Sequence, residues 1–166
     1  MRIVQLDPAT IAALAEGDLE TAQRTAPVTL SAWLAGEESV GTWRHRARQA
    51  VESPEDLPWV TGVLWDEEHQ QAVGKAGYHG APDTDGMVEV GYAVDPEHRR
   101  QGFARAALET LMERARREPA VTTLRATVSP DNAESLALVA QYPFEVVGEQ
   151  WDDEDGLETI YEISVV

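Results

Sequence analysis

From Met87 to Arg117 the hydrophobic pattern changes period once. Met87 to Val94 reads as a strand, whereas Phe103, Ala107, Leu108, Leu111, Met112 and Ala115 recur at helical spacing over residues 102–117. Asp95-Pro96 ends the strand, and a glycine-containing turn leads straight into the helix. A helix with one apolar stripe, entered directly from a strand, must pack back on a sheet to bury that stripe. The same junction leaves the helix's first amides without intrahelical partners, at the positive end of its dipole. Gly102 and Ala104 are small enough for phosphate oxygens to approach the backbone, and Arg99 and Arg100 add charge and forked donors at the rim. The stretch Arg99-Arg100-Gln101-Gly102-Phe103-Ala104 therefore predicts a site for a pyrophosphate-bearing ligand.

The rest of the chain fits around that junction. Residues 2–6 read as a short strand, and Asp7-Pro8 starts a helix with Ile11, Leu14 and Ala15 on one side. Residues 17–36 read as further helix, interrupted near Pro27 and Gly36, and residues 37–52 as an amphipathic helix that Ser53-Pro54 ends. Pro58 to Trp65 and Gln71 to His79 form an expected hairpin through the polar turn Asp66-Glu67-Glu68-His69. Val121 to Val128 is the next strand, and Asp131 with Glu134 reads as a capping box for a helix carrying Leu136, Val139 and Ala140. Phe144 to Trp151 and Leu157 to Val165 close the chain as a hairpin around Asp155-Gly156. Hairpins and a helical crossover feed the same sheet, so the expected fold is one α/β domain over residues 1–166 with a mixed sheet.

Charge narrows the partners. The formal net charge is -17, with 30 acidic residues against 13 basic ones. Such a field repels nucleic acid and anionic membrane, so neither is expected as a partner. Any anionic cofactor must then be met by a local cluster of donors. Arg99, Arg100, Arg105, Arg114, Arg116 and Arg117 provide one, and Lys75 is the sole lysine beside twelve arginines. The chain has no cysteine, which excludes disulfides, thiolate catalysis and zinc–sulfur sites. Its start, Met1-Arg2-Ile3-Val4-Gln5-Leu6, lacks the pattern of a signal peptide, and no apolar run reaches the length of a membrane span. A cytoplasmic location is the expectation.

Arg99-x-x-Gly102-x-Ala104 resembles the Arg/Gln-x-x-Gly-x-Gly/Ala motif of the GNAT acetyltransferase superfamily. The resemblance extends through Glu89-Val90-Gly91-Tyr92-Ala93-Val94-Asp95-Pro96, then Ser129-Pro130-Asp131-Asn132-Ala133-Glu134-Ser135 and the final hairpin. It is densest over residues 87–148 and most resembles the ribosomal-protein N-terminal acetyltransferase branch. Neither Gly-x-Gly-x-x-Gly nor Gly-Lys-Ser/Thr occurs, which disfavours a dinucleotide or nucleoside-triphosphate loop. The resemblance implies a mostly antiparallel sheet flanked by helices, with a splayed parallel strand pair (87–94 and 121–128) around the pantetheine arm of acetyl-CoA. It assigns cofactor contacts to Val94, Arg99, Arg100, Gln101, Gly102, Phe103, Ala104 and Asn132. A homodimer is common in that family.

Acetyl transfer to an amine needs a base within reach of the amine, a donor near the thioester carbonyl, and a proton for the departing thiolate. Glu89 stands mid-strand with its side chain on the face opposite Val88 and Val90, and the resemblance implies that it is the base, working through a water. Read as structure alone, it is a glutamate at the edge of the core that pairs with an arginine or hydrates the cleft. The resemblance places Ser135 near the thioester sulfur as the second catalytic candidate. Asn132 is equally the residue type that caps a helix, and Ser135 one that lies on a helix surface.

Two positions depart from the family pattern. A tyrosine acid often lies seven residues after the asparagine, where this chain has Val139, and some members carry a base where it has Thr127. Tyr142 is about 300° round an ideal helix from Val139 and does not replace that tyrosine. Pro143-Phe144 also stands where Gly-Phe is usual. His45, His69, His79 and His98 show no metal-ligand spacing. In the family it resembles, the last hairpin and the first two helices wall the acceptor cleft. Glu37 and Glu38, with the tip Asp152-Asp153-Glu154-Asp155-Gly156, would there favour a cationic amine, and Trp33, Trp43 and Trp151 fall in the same segments. The acceptor itself, a small molecule or a peptide or protein N-terminus, stays open, as does a module that binds acyl-CoA without turnover.

Overall fold

The computed structural model describes residues 1–153 and 156–166. Seven strands hydrogen-bond in the order β1-β2-β3-β4-β5-β7-β6. They are β1 (Arg2–Val4), β2 (Gly62–Asp66), β3 (Gln71–Tyr78), β4 (Met87–Val94), β5 (Thr123–Val128), β6 (Glu145–Asp152) and β7 (Gly156–Ser164). The helices are α1 (Pro8–Ala15), α2 (Leu19–Thr25), α3 (Glu37–Glu52), α4 (Phe103–Arg117) and α5 (Ala133–Val139). By compactness the chain divides into two units, Met1–Ala81 with Gly91–Thr110, and Pro82–Val90 with Leu111–Val166. Strand β4 and helix α4 each contribute residues to both.

In the first unit, β1 pairs antiparallel with β2, and β2 with β3. Asp7 caps α1 by accepting from the Thr10 amide at 2.7 Å, with Pro8 in the first turn, where a missing amide proton costs nothing. The core gathers Leu6, Ile11, Leu14, Leu34, Val63 and Trp65 around Trp43, which has no exposed surface. Its indole Nε1 donates to the Leu34 carbonyl at 2.7 Å, so the one polar atom taken inside is satisfied. Trp43 is thus a core residue, the default reading for a tryptophan, and does not line an acceptor pocket. The helical reading of residues 17–36 also shrinks, to α2 and a 3-10 turn at Ala32–Ala35. Pro27 accounts for the break, since it biases Ala26 away from helix, and Ala26 is extended at ψ 135°.

In the second unit, β4 and β5 run parallel through Met87↔Thr123, Val88↔Leu124 and Glu89↔Arg125. Strands β5 and β7 are antiparallel, as are β6 and β7, so β7 inserts between β5 and the last hairpin's other arm. Val88, Val90, Leu124, Ala126 and Val128 are buried, and the alternate residues Glu89, Arg125 and Thr127 are half-buried on the opposite face. Leu111, Met112 and Ala115 bury the apolar stripe of α4 as its period requires. Helix α5 corrects the capping expectation. Its N-cap is Asn132, whose side chain accepts from the Ser135 amide at 3.0 Å, one residue later than the Asp131 and Glu134 box.

Candidate active site

The loop from β4 to α4 is held from both sides. Asp95 is buried; its amide donates to the Val73 carbonyl at 3.0 Å and its Oδ1 accepts from the Glu97 amide at 3.0 Å. That starts a 3-10 turn, Pro96–His98, whose His98 ring meets Phe103 edge-on at 6.1 Å, pinning the loop's two ends together. Between them the backbone turns left-handed at Arg100 (φ 58°) and Gly102 (φ 87°). Left-handed geometry at a non-glycine residue stores local strain, and such strain collects at ligand-binding turns. Helix α4 opens with the bond from the Ala106 amide to the Gly102 carbonyl at 3.0 Å, so the amides of Phe103 and Ala104 precede the hydrogen-bonded ladder. A Cβ built on Gly102 would meet nothing within 4 Å. Open space before a helix start, with two arginines beside it, is what a pyrophosphate requires.

Arg99 is half-exposed; its Nε donates to the Val94 carbonyl at 3.3 Å and its Nη2 lies 3.9 Å from Oε2 of Glu38. Oε2 of Glu38 also accepts from the Trp33 indole at 3.2 Å. Lys75 sits over the Trp33 ring at 5.2 Å. The expected cationic-amine wall at Trp33 and Glu38 therefore already holds two cations of the chain itself, a grouping that local sequence pattern does not reveal. Glu37, beside it, is exposed.

Glu89 is fixed by Thr127, whose hydroxyl donates to its Oε1 at 2.7 Å. Arg125 stands opposite Glu89 in the parallel register, yet its guanidinium goes to Oε1 of Glu162 on β7, at 2.9 Å from Nε and 2.6 Å from Nη2. Thr127, a departure from the family pattern, orients the base candidate. Asn132 is exposed and Ser135 half-buried at the start of α5, bonded to each other as cap and capped amide. Val139, where the tyrosine acid would stand, is 1% exposed and belongs to the core.

Other expected contributors separate. Trp151 is 74% exposed on β6 and pairs with exposed Leu157; Val146 and Val147, earlier on the same strand, are exposed as well. Trp65 is core, and Trp59 packs on Tyr78 with ring centroids 5.6 Å apart. The acidic tip falls partly outside the described residues, at Glu154 and Asp155. His79 lies against strand β4, its Nε2 3.0 Å from where a Gly91 Cβ would stand, a placement that no spacing in the sequence announces. Among the described residues no helix is long and apolar enough to cross a membrane.

The fold has counterparts among known proteins. The family model described as Acetyltransferase (GNAT) family matches residues 20–142, and the chain belongs to that family. The curated relative YjdG of Bacillus subtilis (strain 168), named as an uncharacterized N-acetyltransferase, is 32% identical over 82 residues, 49% of either chain. The chain thus spans about half the length of the curated relative it matches. The ribosomal-protein-S5-alanine acetyltransferase from Vibrio fischeri is similar in fold, with TM-score 0.64 and 18% identity over 98% of this chain and 91% of that one. So is yncA from Salmonella typhimurium, solved with its cofactor acetyl-CoA, with TM-score 0.58 and 21% identity over 100% and 94% of the two chains.

Proposed function

We propose that the protein transfers the acetyl group of acetyl-CoA to a primary amine, either a small molecule or a peptide or protein N-terminus. The observation that carries this reading is the β4–α4 loop, left-handed at Arg100 and Gly102 and open in front of the first amides of α4. Those amides hold the pyrophosphate with Arg99 and Arg100, and Gln101, Phe103 and Ala104 line the same turn; Val94 shapes it through the carbonyl that receives Arg99. Family membership supports the cofactor, and the structural neighbour solved with acetyl-CoA supports it further.

Glu89 takes a proton from the incoming ammonium through a water, with Thr127 keeping its carboxylate in one orientation. The amine nitrogen then attacks the thioester carbonyl carbon, and the carbon–sulfur bond breaks. Of the two protons left on nitrogen, one passes to the departing thiolate and the other stays as the amide N–H; Ser135 is the candidate donor to that sulfur. Asn132 contributes to the pantetheine arm only as far as its capping duty allows, because its Oδ1 already serves the Ser135 amide. With Val139 in place of a tyrosine, positioning carries more of the rate than a dedicated acid.

Thiol release tests the reading. The chain has no cysteine, so a thiol-reactive dye reports CoA alone. Turnover with at least one amine from a panel of polyamines, amino acids and short peptides is the expected result. Tight acetyl-CoA binding with no turnover on that panel would instead mark a non-catalytic acyl-CoA-binding module, and no binding at all would overturn the cofactor site.

A further inference from the structure

Twelve arginines and one lysine make the position of that lysine informative. Lys75 lies on β3 and is 5% exposed. Its ammonium donates to the Glu38 carbonyl at 3.1 Å and to the Thr42 hydroxyl at 2.8 Å, beneath the Trp33 ring. Both acceptors lie in the N-terminal half of α3, and Glu38 is in its first turn. A planar guanidinium is larger and rigidly forked, whereas an ammonium is compact and turns its three donors to suit the cavity. From that same turn the Glu38 carboxylate extends to the Trp33 indole and to Arg99.

We propose that Lys75 is a positioning residue for the cofactor loop: it ties the first turn of α3 to β3, so that Glu38 meets Arg99 and holds its guanidinium where the pyrophosphate arrives. The proposal rests on the cofactor reading above. The geometry is a chain of contacts from Lys75 through Glu38 to Arg99, all within the first compact unit. The ammonium also balances the Glu38 charge beside a site for an anion. Burial lowers the Lys75 ammonium from 10.5 to about 8, while Glu38 raises it and Arg46 lowers it further. The charged groups facing it are thus Glu38 and Arg46 of α3, with Thr42 and Trp33 as its uncharged polar and aromatic neighbours.

The test is a double-mutant cycle on acetyl-CoA affinity, measured by calorimetry on the full chain. Lys75→Met keeps the length of the side chain and removes the ammonium, and urea unfolding verifies that the variant is folded. At pH 7 it should bind acetyl-CoA about fivefold more weakly than the parent, whereas added to Arg99→Gln it should cause no further loss beyond that of Arg99→Gln alone. In the parent protein the affinity should fall as pH rises through about 8, and Lys75→Met should lack that component. An equal loss in both backgrounds would show a general structural effect and overturn the proposal, as would parent-like affinity of Lys75→Met. Parent-like affinity of Arg99→Gln would instead overturn the cofactor site, and this proposal with it.

Discussion

Two glycines with equally open surroundings should respond oppositely to alanine. A Cβ at Gly41, inside α3, or at Gly102, before α4, would meet nothing within 4 Å. Packing therefore contributes nothing at either position, and backbone conformation alone decides the sign. Gly102 sits at φ 87°, where a Cβ crowds the following carbonyl at a cost of roughly 1–2 kcal/mol. Gly41 is not among the residues at positive φ, so alanine there gains about 0.8–1 kcal/mol of helix propensity. For a chain of this size each kcal/mol moves the melting temperature by about 2–4 °C. Gly102→Ala should therefore melt a few degrees lower and Gly41→Ala a few degrees higher in a thermal scan. Acetyl-CoA supplies the second reading. At about one hundred times Kd it should stabilise Gly41→Ala by about 2.7 kcal/mol, as it does the parent. A tenfold loss of affinity at Gly102→Ala would cut that to about 1.4 kcal/mol. Melting shifts of the same sign would refute the conformational argument, and equal increments from acetyl-CoA would refute the placement of the cofactor.

Glu89→Gln should lower kcat by about a hundredfold with little change in acetyl-CoA affinity, and full activity across the pH range would remove Glu89 as base. Thr127→Val should lower kcat less, since it frees the orientation of Glu89 without removing it; stopped assays at saturating acetyl-CoA compare the two. Asn132→Ala should cost about 1 kcal/mol in urea unfolding through loss of the cap of α5, whereas Asn132→Asp, which caps equally well, should not. The fourth concerns pH. Lys75 binds its proton less tightly folded, at about 8, than at its ordinary 10.5. Between those values the unfolded chain carries more protons, so stability rises with pH across that window and the penalty is complete below it. At 1.36 kcal/mol per pH unit the rise is at most about 3 kcal/mol. Urea unfolding of the parent should show it relative to Lys75→Met, which should not.

Much of this molecule is written at short range. Asp7-Pro8 starts α1, Ser53-Pro54 stops α3, and the change of period at Gly102 marks the junction of β4 and α4, each within a few residues of the sequence that causes it. The motif loop was legible for the same reason, since amides at a helix start and a residue at positive φ are local properties. The cap of α5 has two readings in the sequence, the box of Asp131 with Glu134 and Asn132 itself, because these residues offer competing partners to the same few amides, and the settled backbone selects Asn132.

The sequence by itself determined most of the order of elements, the family, and the strand–turn–helix junction at Gly102, because periodicity, proline and glycine act on their own neighbourhoods. The tertiary structure alone decided that β7 would lie between β5 and β6 and set Glu162 against Arg125. It alone brought Thr127 to Glu89 across 38 residues, and Lys75 to Thr42 across 33. Those pairings arise from strand register and from helix packing on a sheet, which join segments by shape and burial rather than by any pattern either segment carries.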